Sequence, residues 1–96
     1  MSDTTPRSYR VVTDAATGAT EQWFDDLAAA HRAIAAHLGV DANGLDDRRR
    51  RVNADPLVVR RDGARWRSGG MWIYRSGAAS ARLFEMVRVD EAAYDH

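Results

Sequence analysis

Ninety-six residues with 45% hydrophobic and 29% charged side chains describe one small globular domain, 1–96, rather than a disordered chain. The formal net charge is zero, and the absence of Cys excludes disulfides, a thiolate nucleophile and Cys-ligated zinc together. No apolar run approaches the roughly 18 residues of a membrane span, and no leader pattern opens the chain, so a cytoplasmic protein without a membrane partner is the expectation.

The neutral total hides a split. Residues 1–47 carry three Arg against eight acids, and residues 48–96 carry eleven Arg against six. Such asymmetry points to a polyanionic partner, or to two halves that face each other within or between copies. All the basic residues are Arg, which brings planar, bidentate chemistry wherever it lands.

Residues 1–7 are small and polar and read as a loose arm. Tyr9–Thr13 is β-branched and aromatic and reads as a strand. Residues 14–19 form a turn around Gly18, and Thr20–Phe24 returns as a second strand.

Trp23–Gly39 holds the main helix, expected over about residues 25–38. Asp25 is the expected N-cap, and Asp25 and Asp26 together place negative charge at the positive end of the helix dipole. Leu27, Ala30, Ile34 and Leu38 share one stripe, and Gly39 supplies a left-handed stop. Residues 40–47 read as a loop with Asn43-Gly44 as its turn, and Leu45–Val52 as one or two helical turns.

From Leu57 the chain reads as a four-stranded antiparallel meander: Leu57–Arg61, Ala64–Ser68, Met71–Arg75 and Ala81–Val89. Asp62-Gly63 and Gly69-Gly70 are the expected hairpin turns. A helix capped by Ser76 and running through Ala79–Met86 is the alternative for that stretch. The tail, 90–96, is expected to fray. The fold class is therefore α+β: an N-terminal hairpin, one main helix and a C-terminal meander.

Side chains of a strand alternate between faces. In the expected register Leu57, Val59, Trp66, Met71, Ile73, Leu83, Val87 and Val89 meet the helix. The opposite face collects Arg60, Arg65, Arg67, Trp72, Tyr74, Arg82, Phe84, Met86 and Arg88. Aromatic rings flanked by guanidinium groups suit single-stranded nucleic acid, where each stacked base is worth roughly 1–3 kcal/mol. The run Arg48, Arg49, Arg50 and Arg51 would add a phosphate contact at the sheet edge. The same aromatics could instead be covered by Arg stems or buried in a homodimer, and a one-residue slip would exchange the faces.

No catalytic constellation emerges. His31 and His37 are six residues apart, which does not place them on one helix face for a metal, and no strained elbow frames a Ser. The expectation is no enzyme, no catalytic residue, no metal and no cofactor. The expected function is a non-enzymatic protein-binding module, a small inhibitor, antidote or accessory protein that binds a larger protein or itself as a homodimer. A second contact would come from Asp25, Asp26 and the Arg48–Arg51 run. A nucleic-acid-binding module using the Arg/aromatic face is the alternative.

Overall fold

The computed structural model describes residues 7–15, 18–53 and 56–89 of the chain. The expected loose ends lie outside these residues, apart from Arg7, which opens the first strand. The described chain is α+β, as expected. Its elements are β1 (Arg7–Ala15), β2 (Gly18–Phe24), α1 (Leu27–Leu38), a 3-10 helix (Ala42–Arg48), β3 (Arg49–Val52), β4 (Val58–Arg61), β5 (Ala64–Ser76) and β6 (Ala79–Val89). All six strands join one antiparallel sheet in the order β2-β1-β6-β5-β3, with β4 also paired to β5.

The helix starts one residue later than its acidic pair suggested. Asp26, not Asp25, is the N-cap: its backbone is extended, and its carboxylate accepts from the Ala28 N–H at 3.0 Å. Gly39 stops the helix in the left-handed region at φ 71°, where a Cβ would be strained. The twelve residues span about 18 Å and lie across β1 and β6. Ala30, Ile34 and Leu38 are buried as expected, with Ala35 beside them. Leu27 is a correction: at 38% exposed it stands outside the core, because the helix is only beginning where it sits.

The 3-10 helix is capped by Asp41, whose carboxylate accepts from the Asn43 N–H. It absorbs the expected Asn43-Gly44 turn and buries Leu45. The expected helical turns end at Arg48, and the remaining Arg residues run on as strand β3.

The C-terminal half differs from expectation in one decisive place. Gly69-Gly70 is no hairpin turn. Both glycines lie inside β5, a 13-residue strand that pairs with β6 along its length. The register shifts between Ser68 and Gly70, where β5 carries one residue more than β6. A Cβ at Gly70 would stand 3.2 Å from Arg51 Nη2, so the bare backbone makes room for that guanidinium. The helix alternative for 76–86 is also set aside, since Ala79–Val89 is strand throughout and turns back on β5 through Gly77 at φ 59°.

The bulge inverts the facing of one half of β5 relative to the other. Trp72 and Tyr74 oppose Leu83 and Ala81 and point to the helix, while Met71 and Ile73 oppose Phe84 and Arg82 and point away. Before the bulge, Trp66 opposes Arg88 and points away, and Arg67 opposes Val87 on the helix side. The expected assignment of Trp66, Met71, Ile73 and Val59 to the helix face is thereby corrected; Leu83 keeps its place, and so do Val87 and Val89.

The main core gathers Val11, Ala30, Ile34, Ala35, Leu38, Leu45, Tyr74, Ala81 and Leu83, flanked by Tyr9, Phe24, Val40, Trp72 and Ala79. A second buried patch sits on the face away from the helix. Met86 and its cross-strand neighbour Ser8 are each 1% exposed there. Trp23 of β2 and Trp66 of β5 lean in over this region, their ring centroids 5.7 Å apart and edge to face. In a flat sheet those two strands would stand about 14 Å apart, so the contact needs inward-leaning rings and a coiled sheet. Arg61 caps the pair, its guanidinium 4.6 Å from the Trp23 ring centroid.

Candidate functional site

The eight residues expected to share one Arg/aromatic face fall on two. Arg60, Arg65, Arg67, Trp72 and Tyr74 take the helix side, and Arg82, Phe84 and Arg88 take the other. The aromatic members are already engaged. Tyr74 is fully buried in the main core. Trp72 is half-buried, with the guanidinium carbons of Arg49 and Arg51 at 4.5 and 5.5 Å from its ring centroid. Phe84 lies under Arg10 at 5.1 Å. Met86, expected on an open face, is buried with the Trp pair above it.

The Arg48–Arg51 run is likewise divided by strand alternation. Arg48 closes the 3-10 helix and donates to Ser76 Oγ at 3.5 Å. Arg49 and Arg51 cover Trp72, and Arg49 also meets Asp46 at 3.6 Å. Arg50 points to the other face, opposite Ile73. Asp25 is exposed and Asp26 is the helix cap; both follow β2, at the opposite end of the strand order from the β3 that carries most of the Arg run.

Beneath the Arg-covered Trp72 lies a polar contact within the core. The Tyr74 hydroxyl and His31 Nε2 are 3.3 Å apart. Burial pushes the Tyr74 hydroxyl up from its ordinary pKa, which keeps its proton available for donation. Burial, aided by repulsion from Arg49, pulls His31 down, which keeps the imidazole neutral. The unfolded chain therefore binds the His31 proton more readily than the folded chain does. The stabilisation from neutral His31 is complete above the unfolded pKa, near 6.5, and is lost as pH falls through that value toward the lowered folded one. Urea midpoints should fall between about pH 7.5 and about pH 5.5, and His31→Gln should flatten that slope. An equal slope in the variant would remove His31 as its source.

The sheet has two unlike edges. On one side β3 is four residues long, three of them Arg, and charge guards it. On the other side β2 pairs only with β1, in unbroken register from Gly18 to Phe24, and its first five residues are exposed. It contains no Pro, no bulge and no basic residue. Its one charge, Glu21, is held by Arg10 of β1, which keeps the carboxylate below its usual range. This edge was not singled out by sequence pattern, because Thr20–Phe24 reads the same whether one neighbour or two accompany it.

A shallow pocket of about 230 Å³ opens at the far side of the sheet, lined by Asp47, Arg48, Arg49, Arg50, Ile73 and Arg75. Arg75 was absent from the expected site; its spacing of two from Ile73 in a strand was the available signal. Among the described residues no group of three His, Asp or Glu side chains could hold a metal ion, and no helix is long and apolar enough to cross a membrane. Comparison with known proteins finds no family model, no curated protein and no solved structure that matches this chain.

Proposed function

We propose that the protein is a non-catalytic protein-binding module that takes an extended segment of its partner as an added strand along β2. The open β2 edge is the observation that carries this reading. Its outward N–H and C=O groups are a template for main-chain pairing, and the exposure of residues 18–22 leaves that template accessible. The β3 edge, by contrast, is short and strongly basic. The partner is a larger protein acted on by occupancy, as an inhibitor, antidote or accessory subunit would act; a homodimer would use the same edge. An Arg/aromatic platform for nucleic acid has less support, because Tyr74 is in the core and guanidinium groups lie over Trp72 and Phe84.

The test places a photo-crosslinking residue at Gln22, on the open edge, and at Ala36, on the exposed side of α1, in cells. Protein adducts specific to position 22 are expected, and nucleic-acid adducts or equal labelling at both positions would overturn the reading. Light scattering on the purified chain shows whether a second copy is the occupant. Successive strand N–H groups point to opposite sides, so one of Glu21→Pro and Gln22→Pro removes an outward donor while the other breaks the β1 ladder. The variant that still folds should lose the adduct formed at a crosslinker moved to Thr20.

A further inference from the structure

A row of side chains crosses the sheet on the face away from α1. Arg50 of β3 opposes Ile73 of β5, and Ile73 opposes Arg82 of β6. Arg75 stands two residues along β5 on the same face, and Arg48 is held nearby through Ser76 Oγ. Arg50 and Arg82 are two strand spacings apart, about 10 Å, so both guanidinium groups can reach a ligand seated over Ile73. The pocket of about 230 Å³ lies at this place, lined by Arg48, Arg49, Arg50, Arg75, Ile73 and Asp47.

The charges of this pocket are poorly balanced from within. Among the described residues, the ion pairs are Arg10–Glu21, Arg49–Asp46 and Arg61–Asp62, and none involves Arg48, Arg50, Arg75 or Arg82. Asp47 is the one acid in the lining. The row continues through Val12 to Glu21, which Arg10 holds, and the carboxylate in line with Arg75, Asp14, accepts from Ser80 between them. Protection of an open edge would explain Arg50 on β3, but not Arg75 and Arg82, which rise from strands paired on both sides.

We propose that this pocket binds a small phosphate-class anion, a phosphate or diphosphate group. Guanidinium forks present paired N–H donors that match phosphate oxygens, and several of them around one apolar floor fit a compact polyvalent anion. A nucleic-acid strand fits less well. The pocket offers Ile73 rather than an aromatic ring for stacking, and Asp47 at its rim repels a long polyanion. The site lies at the opposite side of the strand order from β2, so it stands or falls independently of partner binding there.

The experiment is calorimetric titration of the full chain with inorganic pyrophosphate, at ionic strength held constant with sodium chloride, alongside a single-stranded oligonucleotide. Saturable one-to-one binding of pyrophosphate is expected. Arg50→Gln and Arg75→Gln should each weaken it by about tenfold or more, the loss of one charge-assisted contact. Arg32→Gln, on an exposed position of α1, should leave it unchanged, and circular dichroism confirms that each variant folds. Heat no greater than in chloride alone, or affinity indifferent to Arg50 and Arg75, would overturn the assignment. So would an oligonucleotide that binds far more tightly than pyrophosphate with a salt dependence spanning several phosphates.

Discussion

Tyr74→Ala is expected to cost about 3–5 kcal/mol of folding stability, the range for removing a buried aromatic side chain. Tyr74 has no exposed surface and is the largest of the fully buried side chains. It sits where β5 passes under α1, among Ile34, Leu45, Ala81 and Leu83. Truncation would leave a cavity bounded by two strands and two helical segments, a setting that collapses poorly. Domains are stable by about 5–15 kcal/mol in total, so the variant should lose a large fraction of its folding free energy. Urea denaturation followed by circular dichroism reads this directly. Tyr74→Phe keeps the ring and loses only the hydroxyl's contacts, to His31 and Arg49, so a cost nearer 1 kcal/mol is expected. A Tyr74→Ala variant as stable as the parent would place the ring outside the core and return it to the candidate binding face.

That residue marks where the sequence stops being a guide. The N-terminal half was legible because each signal there is local. β-Branched and aromatic residues marked β1, the turn at Gly18 marked the return along β2, the acid pair announced a helix start to within one residue, and Gly39 announced its end. The meander was legible as strands but not as faces. Trp66 and Trp72 both alternate with Arg in the sequence, and a continuous alternation through Gly69-Gly70 would put both on one side. The bulge between Ser68 and Gly70 separates them, as the expected turn would have done, but with the sides exchanged: Trp66 points away from the helix and Trp72 toward it. Two adjacent glycines fit a tight turn as well as a bulge, and the pairing of β5 with the distant β6 on both sides of them makes the bulge. The candidate site failed to assemble because β6 meets the second half of β5 in the opposite phase to the expected one: Trp72 and Tyr74 were grouped with Arg82 and Phe84, whereas the β5–β6 register sets them opposite Leu83 and Ala81. The surfaces that replaced it, the β2 edge and the Arg50–Ile73–Arg82 row, are defined by which strands neighbour one another, and neighbour relations between distant strands leave no mark in local pattern.

Met86→Ala is expected to cost about 2–5 kcal/mol, although Met86 lies on the face that no helix covers. The reason is the second buried patch. Met86 is 1% exposed beside an equally buried Ser8, whose hydroxyl is tied to the Phe24 carbonyl at 3.1 Å. The Trp23–Trp66 pair closes over this region from strands on either side of β1 and β6. Arg82, on the same strand and the same face four residues earlier, is exposed, and Arg82→Ala should change stability by no more than about 0.5 kcal/mol. The contrast within one strand face tests the architecture rather than the residue type. A one-sided sheet would make both substitutions mild, whereas a sheet that coils over its own Trp pair makes only Met86 costly. Tryptophan emission separates the cases further: loss of the Met86 side chain should admit water beside Trp23 and Trp66 and shift emission to the red. Should both variants melt together with the parent, the burial at Met86 would contribute nothing, and the whole stability of the fold would rest on the side of the sheet that α1 covers.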